Sequence, residues 1–176
     1  MKYLVEEYPM NQRRAYRSYV SYIDRSREYY AAQGYLQPYT WAHHDDVPFT
    51  PLKKPLSECR VGLVTTAGKT DSETERLRRW KTRELYAMAA NPAPKRMFTA
   101  DLFWDKVATN TNDVESFLPL NRLAEYASGG RIGSVSPRFY GVPTEYSQNK
   151  TSLRDAPKIL EWCREDGVDA MLLSAL

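Results

Sequence analysis

The stretch Arg60-Val61-Gly62-Leu63-Val64-Thr65-Thr66 constrains this chain more than any other. It is short, rich in β-branched residues, uncharged after Arg60, and it closes on Ala67-Gly68. An apolar run of that kind reads as a strand buried on both faces, and such strands belong to parallel sheets. A parallel neighbour needs a crossover, so a helix should follow. Ser72-x-x-Glu75 supplies a capping box for one. The recurrence of Leu77, Trp80, Leu85 and Met88 predicts that this helix runs on until Asn91-Pro92 stops it.

The rest of the chain continues the alternation. Met97–Leu102 predicts a second strand, and Pro119 opens a helix through Leu120, Leu123, Ala124 and Ala127 that Gly129-Gly130 closes. Ile132–Ser136 predicts a third strand. Asp155 reads as the N-cap of a helix carrying Ile159, Leu160 and Cys163, with Pro157 in its first turn and Gly167 at its end. Val168–Leu173 then reads as a last buried strand. This alternation predicts an α/β fold: a doubly wound, mostly parallel, Rossmann-like sheet filling residues 57–176 as a single compact unit. At 176 residues the chain has about one domain's length.

Residues 1–56 read as an N-terminal helix and an extended, Pro-rich arm. Of 13 tyrosines, 9 precede residue 40. Tyr16, Tyr19, Val20, Ile23, Tyr30 and Ala31 recur at helical spacing before Gly34, while Arg13, Arg14, Arg17, Arg25 and Arg27 take the other face. Such a helix docks its tyrosines on a core or a partner chain and leaves its arginines in water. Binding of RNA or single-stranded DNA is the least favoured reading. No glycine-aromatic recognition motif accompanies the charges, and the net charge is only +3. Pro38, Pro48, Pro51 and Pro55 keep the arm out of helix and central strand.

The apolar stretches Val61–Ala67 and Val168–Leu176 fall well short of the roughly 20 residues that cross a bilayer. The first ten residues hold Glu6 and Glu7 and no apolar run. No membrane association is expected, and the expected location is the cytoplasm. Cys59 and Cys163 form neither a disulfide framework nor a C-x-x-C pair. Both read as small core residues without a cationic neighbourhood to favour a thiolate.

Ligands of open α/β sheets sit beyond the carboxyl ends of the strands. Here those ends are Thr65–Gly68, Asp101–Asp105, Ser136–Tyr140 and Ser174–Leu176. Thr65, Thr66 and Gly68 offer hydroxyls and backbone N–H groups to a small carboxylate or phosphate; the plainer reading is a tight loop that needs its glycine. The spacing of Gly62 and Gly68 is not a dinucleotide fingerprint and there is no P-loop, so no cofactor is expected. Arg138 is the cation best placed to pair with a substrate carboxylate at this rim, with a solvated arginine as the alternative. His43-His44-Asp45-Asp46 gathers both histidines beside two carboxylates. Adjacent residues point in different directions, however, and metal ligands sit about two to four residues apart or on separate elements. No metal site is expected. His43, His44 and Asp45 stand as substrate-site candidates against simple turn capping.

Two stretches carry a family resemblance. Tyr35–Gly68 contains W-x-x-x-D-D-x-P-x-x-P-L-x-K-P-L running into R-V-x-L-V-T-T-A-G. It resembles the amino-terminal part of the glycine/sarcosine/betaine reductase selenoprotein B family, which includes D-proline reductase relatives. Leu118–Tyr140, LPLNRLAEYASGGRIGSVSPRFY, resembles the family's F-P-L-x-R-L…G-x-I-G-x-x-A-P-R-H-Y segment, and Gly167–Leu173 resembles its G-V-D-A-x-L-L strand. The resemblance implies reductive chemistry on amino acids or small amines. The reacting group would be a selenocysteine or cysteine beyond that strand, in a multi-subunit complex supplied by a thiol system.

The same resemblance adds Tyr140 to the substrate-binding candidates, because Pro137, Arg138 and Tyr140 keep the family pattern. Phe139 stands where the family has histidine, and Asp101–Asp105 has no histidine where the family's second loop has one. Only Ser174-Ala175-Leu176 follow the last strand, so the family's catalytic residue is carried over to no position. Either the reading frame stops at a codon for selenocysteine, or the chain is a short paralogue that pairs with a complete redox subunit; the missing histidines favour the second. The resemblance thus implies an oxidoreductase subunit that is inactive alone. Its thiol or selenol would come from a protein partner, a redox-active homologous subunit or a second copy, docked through the tyrosine-rich helix. The alternative is a non-catalytic scaffold or regulatory subunit that binds a small carboxylate.

Overall fold

A computed structural model describes residues 21–35, 37, 43, 45–47, 50–69, 84–99, 102, 107–144 and 147–176. The chain divides into two units, Met1–Asp46 and Val47–Leu176, where the sequence suggests a boundary between residues 56 and 57. In the first unit, helix α1 spans Tyr22–Ala32. Ser21 caps it, its hydroxyl accepting from the Asp24 N–H at 3.2 Å. Tyr29, Tyr30 and Tyr35 are exposed, and Tyr30 meets each of the other two edge-on. Tyr16, Tyr19 and Val20 of the expected docking stripe lie outside the described residues.

In the second unit the run read first from the sequence is strand β1, Arg60–Thr65, and it is the centre of the sheet. Both its edges are paired and Val61–Thr65 are buried, which is why the strand is uncharged after Arg60. Strand β2 is Tyr86–Ala89, β3 Ser134–Val135, β4 Arg138–Gly141 and β5 Ala170–Ser174. β5 lies parallel to β1 over Val61–Thr65. β3 pairs with Arg60 and Val61, and β4 with Val64 and Thr65, also in parallel. Between those two registers β1 advances three residues, from Val61 to Val64, while the other chain advances five, from Val135 to Tyr140. Ser136-Pro137 are thus two extra residues, a bulge placed where proline has no N–H to give a ladder. The Ser136 N–H still reaches Val61 O at 2.8 Å.

β2 pairs with β4 antiparallel. The fold is therefore α/β with a mixed sheet, and the doubly wound, mostly parallel arrangement needs correction on that point. The correction has a local cause. Leu85 and Met88 fit helical spacing, but over four residues a period of two fits Tyr86–Ala89 equally well, and the β4 edge decides. Gly141 fixes the register: a Cβ there would collide with the Tyr86 ring. The start of the expected helix, from Ser72 to Trp80, lies outside the described residues. Of the expected strand over Met97–Leu102, the described residues show one antiparallel bridge, between Phe98 and Gly68. Ser136–Tyr140, expected as a rim loop, is instead bulge and strand.

Helix α2, Leu120–Ser128, forms as expected and gives way to Gly129-Gly130, with Gly130 at φ +70°. Pro119 at its start has no side-chain acceptor. Glu115 takes that role, accepting from the N–H groups of Asn121 and Arg122 at 3.0 and 3.1 Å. Helix α3, Ala156–Glu165, carries Pro157 in its first turn. A short turn, Gln148–Lys150, and a π-helical segment, Thr151–Asp155, precede it without a break. Asp155 is therefore inside a helical run, and its side chain makes no capping bond.

Opposed residues in a pair share a face of the sheet. Val61, Leu63, Tyr86 and Phe139 face one side, where they join Phe117, Leu118, Leu120, Leu123 and Ile132 in the buried core. Arg60, Arg138 and Tyr140 face the other side, under α3.

Candidate functional site

The polar residues on the α3 side converge on one carboxylate. Arg138 directs Nε to Asp166 Oδ2 at 2.8 Å and Nη2 to Oδ1 at 2.9 Å, a forked pair. Nη2 also donates to Glu165 at 2.8 Å. The Tyr140 hydroxyl donates to Asp166 Oδ2 at 2.6 Å, and its ring stacks on Trp162 with centroids 6.1 Å apart. Arg60 Nη1 donates to the Asp166 carbonyl at 2.6 Å. Burial alone would raise the Asp166 carboxyl, but hydrogen bonds from Arg138 and Tyr140 outweigh it and hold the group below the ordinary range. Tyr140 is pushed well up by burial and then by its bond to the Asp166 carboxylate. Its hydroxyl stays protonated. Arg138, bonded first to Asp166 and then to Glu165, is pushed up as well.

A second ionic clasp ties the start of β1 to the last strand. Asp169 accepts from Lys54 Nζ and from the Arg60 N–H, each at 2.8 Å. The Lys54 bond, followed by the backbone bond, lowers its carboxyl.

The carboxyl end of β1 is more self-contained. Thr65 is fully buried and its Oγ1 accepts from the Ala67 N–H at 3.2 Å. Thr66 Oγ1 accepts from the Leu176 N–H at 3.0 Å. Gly68 exchanges backbone hydrogen bonds with Phe98, and the Ala67 carbonyl accepts from the Tyr86 hydroxyl. The substrate-binding candidates thus fall into three places. Thr65, Thr66 and Gly68 share the rim loop, while Arg138 and Tyr140 meet at Asp166 beneath α3. His43 and Asp45 pair with each other at 2.9 Å in the first unit, both exposed. His44 lies outside the described residues.

Asp166 is not among the residues that the sequence singles out, and Asp155 is singled out only as an N-cap. For Asp166 a signal existed: Glu165-Asp166 ends a helix, where the macrodipole disfavours negative charge unless cations answer it. Arg138 and Arg60 are those cations. In place of a solvent-facing cap, Asp155 is 1% exposed. The cysteines are Cys59, buried, and Cys163, half-buried on α3. Burial, followed by the Asp166 charge, pushes the Cys163 thiol up, away from the thiolate form. No group of three or more metal-ligating side chains occurs among the described residues. No helix among them is long and apolar enough to cross a membrane.

No protein-family model matches the chain, and no solved structure matches it. Among curated proteins it is similar to D-proline reductase subunit gamma of Acetoanaerobium sticklandii, with 27% identity over 128 residues. The match takes in 72% of this chain and 52% of that protein, so the chain spans about half the length of the curated relative it matches. At that identity the chain is a distant relative of a D-proline reductase subunit, in keeping with one part of the resemblance read from its motifs.

Proposed function

We propose that this chain is a subunit, or a divergent member, of a reductase of the glycine, sarcosine, betaine and D-proline type. In this reading it works in a complex whose reducing thiol or selenol belongs to a protein partner. The similarity to a D-proline reductase subunit carries the proposal. The state of the cysteines supports the division of labour, since Cys59 is sealed in the core and Cys163 is biased toward the neutral thiol. Two exposed apolar features suit a chain that works in company: the Tyr29, Tyr30 and Tyr35 cluster, and Leu172 and Leu173 on β5. Small carboxylates and amines are the proposed substrates. They would engage the rim loop of Thr65, Thr66 and Gly68; Arg138 and Tyr140, and separately His43, His44 and Asp45 in the other unit, are proposed contacts in their own places.

Reconstitution tests this. The purified chain is mixed with a redox-active reductase homologue, and dithiothreitol-dependent consumption of D-proline, glycine, sarcosine and betaine is followed. The expected result is turnover or co-elution that neither component gives alone. No co-elution and no change in rate removes the reading.

One observation favours the second reading, a non-catalytic scaffold or regulatory subunit. Phe139, at the position of the family's histidine, is fully buried against Tyr86 in the core, so no proton donor acts there. In that case the mixture co-elutes but the rate follows the partner alone.

A further inference from the structure

We propose that Asp155 anchors a small protonated amine at the carboxyl rim of the sheet; the inference rests on that rim being the ligand end of the molecule. Arg154 Nε donates to Asp155 Oδ1 at 2.7 Å from a side chain that is half in solvent. Oδ2 is buried and has no hydrogen-bond partner among the described residues. A desolvated carboxylate oxygen left unpaired is costly, and folded proteins rarely keep one without a use. Asp155 also closes a π-helical segment, an irregularity that gathers at functional sites.

Helix geometry places it. Asp155 precedes Trp162 by seven residues, two turns, so the two share a face of the helix. Trp162 stacks on Tyr140 of β4, which makes that face the sheet side. α3 runs opposite to β4, since Trp162 sits at Tyr140 while Asp166 reaches back to Arg138. Seven helical residues rise about 10 Å, the length of about three strand residues. Counted forward from Tyr140, that is the level of Pro143. Through the pairing of Val64 with Tyr140 it is the level of Ala67. Both lie just past the carboxyl ends of their strands, where open α/β sheets take ligands. Thr66 and Leu176 meet at the same rim.

The chemistry selects the ligand. Arg138, the cation expected here, is held farther down by Asp166 and Glu165. The group that this geometry brings to the rim on the sheet side of the helix is the Asp155 side chain, one oxygen paired with Arg154 and the other unpartnered. One free oxygen, with no cluster of ligating side chains among the described residues, does not build the six-oxygen shell of magnesium or calcium. It does accept one short, charge-assisted bond from an N–H⁺ group. Oδ2 is closed to solvent in this structure, so entry requires the rim to open locally, and the apparent affinity is reduced by the rarity of that opening.

The test uses the full chain, labelled with ¹⁵N and titrated with methylammonium chloride. Sodium chloride and magnesium chloride at matched ionic strength separate an organic ammonium from an inorganic cation. Saturable shifts with methylammonium alone, centred on the amides near Thr66, Thr144 and Asp155, are expected. Asp155→Asn should weaken them by about tenfold or more, the loss of one charge-assisted bond. Equal shifts with sodium or magnesium, no saturation, or saturation unaltered in Asp155→Asn overturns the proposal. Far-UV circular dichroism checks the fold. If the Asn variant does not fold, Asp155→Glu moves the charge by one methylene: weakened binding supports the anchor and unaltered binding refutes it. No partner or turnover enters this experiment. Binding without assembly therefore removes the reductase reading and spares the anchor, and assembly without binding does the reverse.

Discussion

Asp166→Ala is the sharpest test of what holds α3 to the sheet. The substitution strips the acceptor from two nitrogens of Arg138 and from the Tyr140 hydroxyl. Removing one member of a well-buried ion pair costs about 3–5 kcal/mol, because the other member is stranded. The Asp166 side chain is 10% exposed but that of Arg138 is 31% exposed. Arg138 also keeps Glu165. The lower end, about 3 kcal/mol, is therefore expected. For a chain of this size that is a fall in Tm of roughly 6–12 °C. Urea denaturation followed by far-UV circular dichroism at pH 7 reads it directly. The pH dependence has a fixed sign. Asp166 is depressed in the folded state, so its contribution is complete above the unfolded carboxylate pKa and fades as pH falls through the lower folded value. The gap between wild type and Asp166→Ala should be full at pH 7 and should narrow below about pH 4. Combined with Arg138→Met, the variant should show a coupling of at least about 1 kcal/mol. A loss under about 1 kcal/mol at pH 7, or a gap that ignores acid, refutes the ionic account.

Gly141→Ala drives a methyl group into the Tyr86 ring and should cost about 3 kcal/mol by overpacking, measurable in the same denaturation assay; in a Tyr86→Ala background the same substitution should cost clearly less. Cys163 should react with iodoacetamide at pH 7.5 well behind free cysteine and accelerate as pH rises, because burial keeps it a thiol, and alkylation at the rate of a free thiol contradicts that.

The sequence showed β1 plainly because that strand is buried on both faces, and such strands leave an unbroken apolar run. Helix α2 was also legible, between Pro119 and the glycine pair. β2 was not: Tyr86–Ala89 is too short for period two to be told from period 3.6, and its partner lies some fifty residues away. β4 was hidden by Ser136-Pro137, which reads as a break and is in fact a bulge in a continuing edge. The site divides along similar lines. Thr65, Thr66 and Gly68 were found from the end of a recognisable strand, whereas Arg138 was expected at the rim because the register of β4 was not visible. Asp155 and Asp166 depend on which way two helix turns face, and no local pattern records that.

The bulge has a consequence of parity. Two inserted residues leave the alternation of β4 in step with β1, so Phe139 enters the core while Arg138 and Tyr140 stay beneath α3. Removing one residue of the Ser136-Pro137 pair would turn every later side chain of that strand over, sending a guanidinium into the apolar layer and a phenyl ring toward Asp166. Removing both would keep the sides right and lose the local hydrogen bonds of the pair, from the Ser136 N–H to Val61 O, from the Ala90 N–H to the Pro137 carbonyl, and those of the Ser136 hydroxyl with Tyr140 and the Arg138 N–H. The segment thus behaves as a counter that tolerates even changes of length and rejects odd ones. That places the charged and apolar faces of this sheet under the control of two residues that belong to neither.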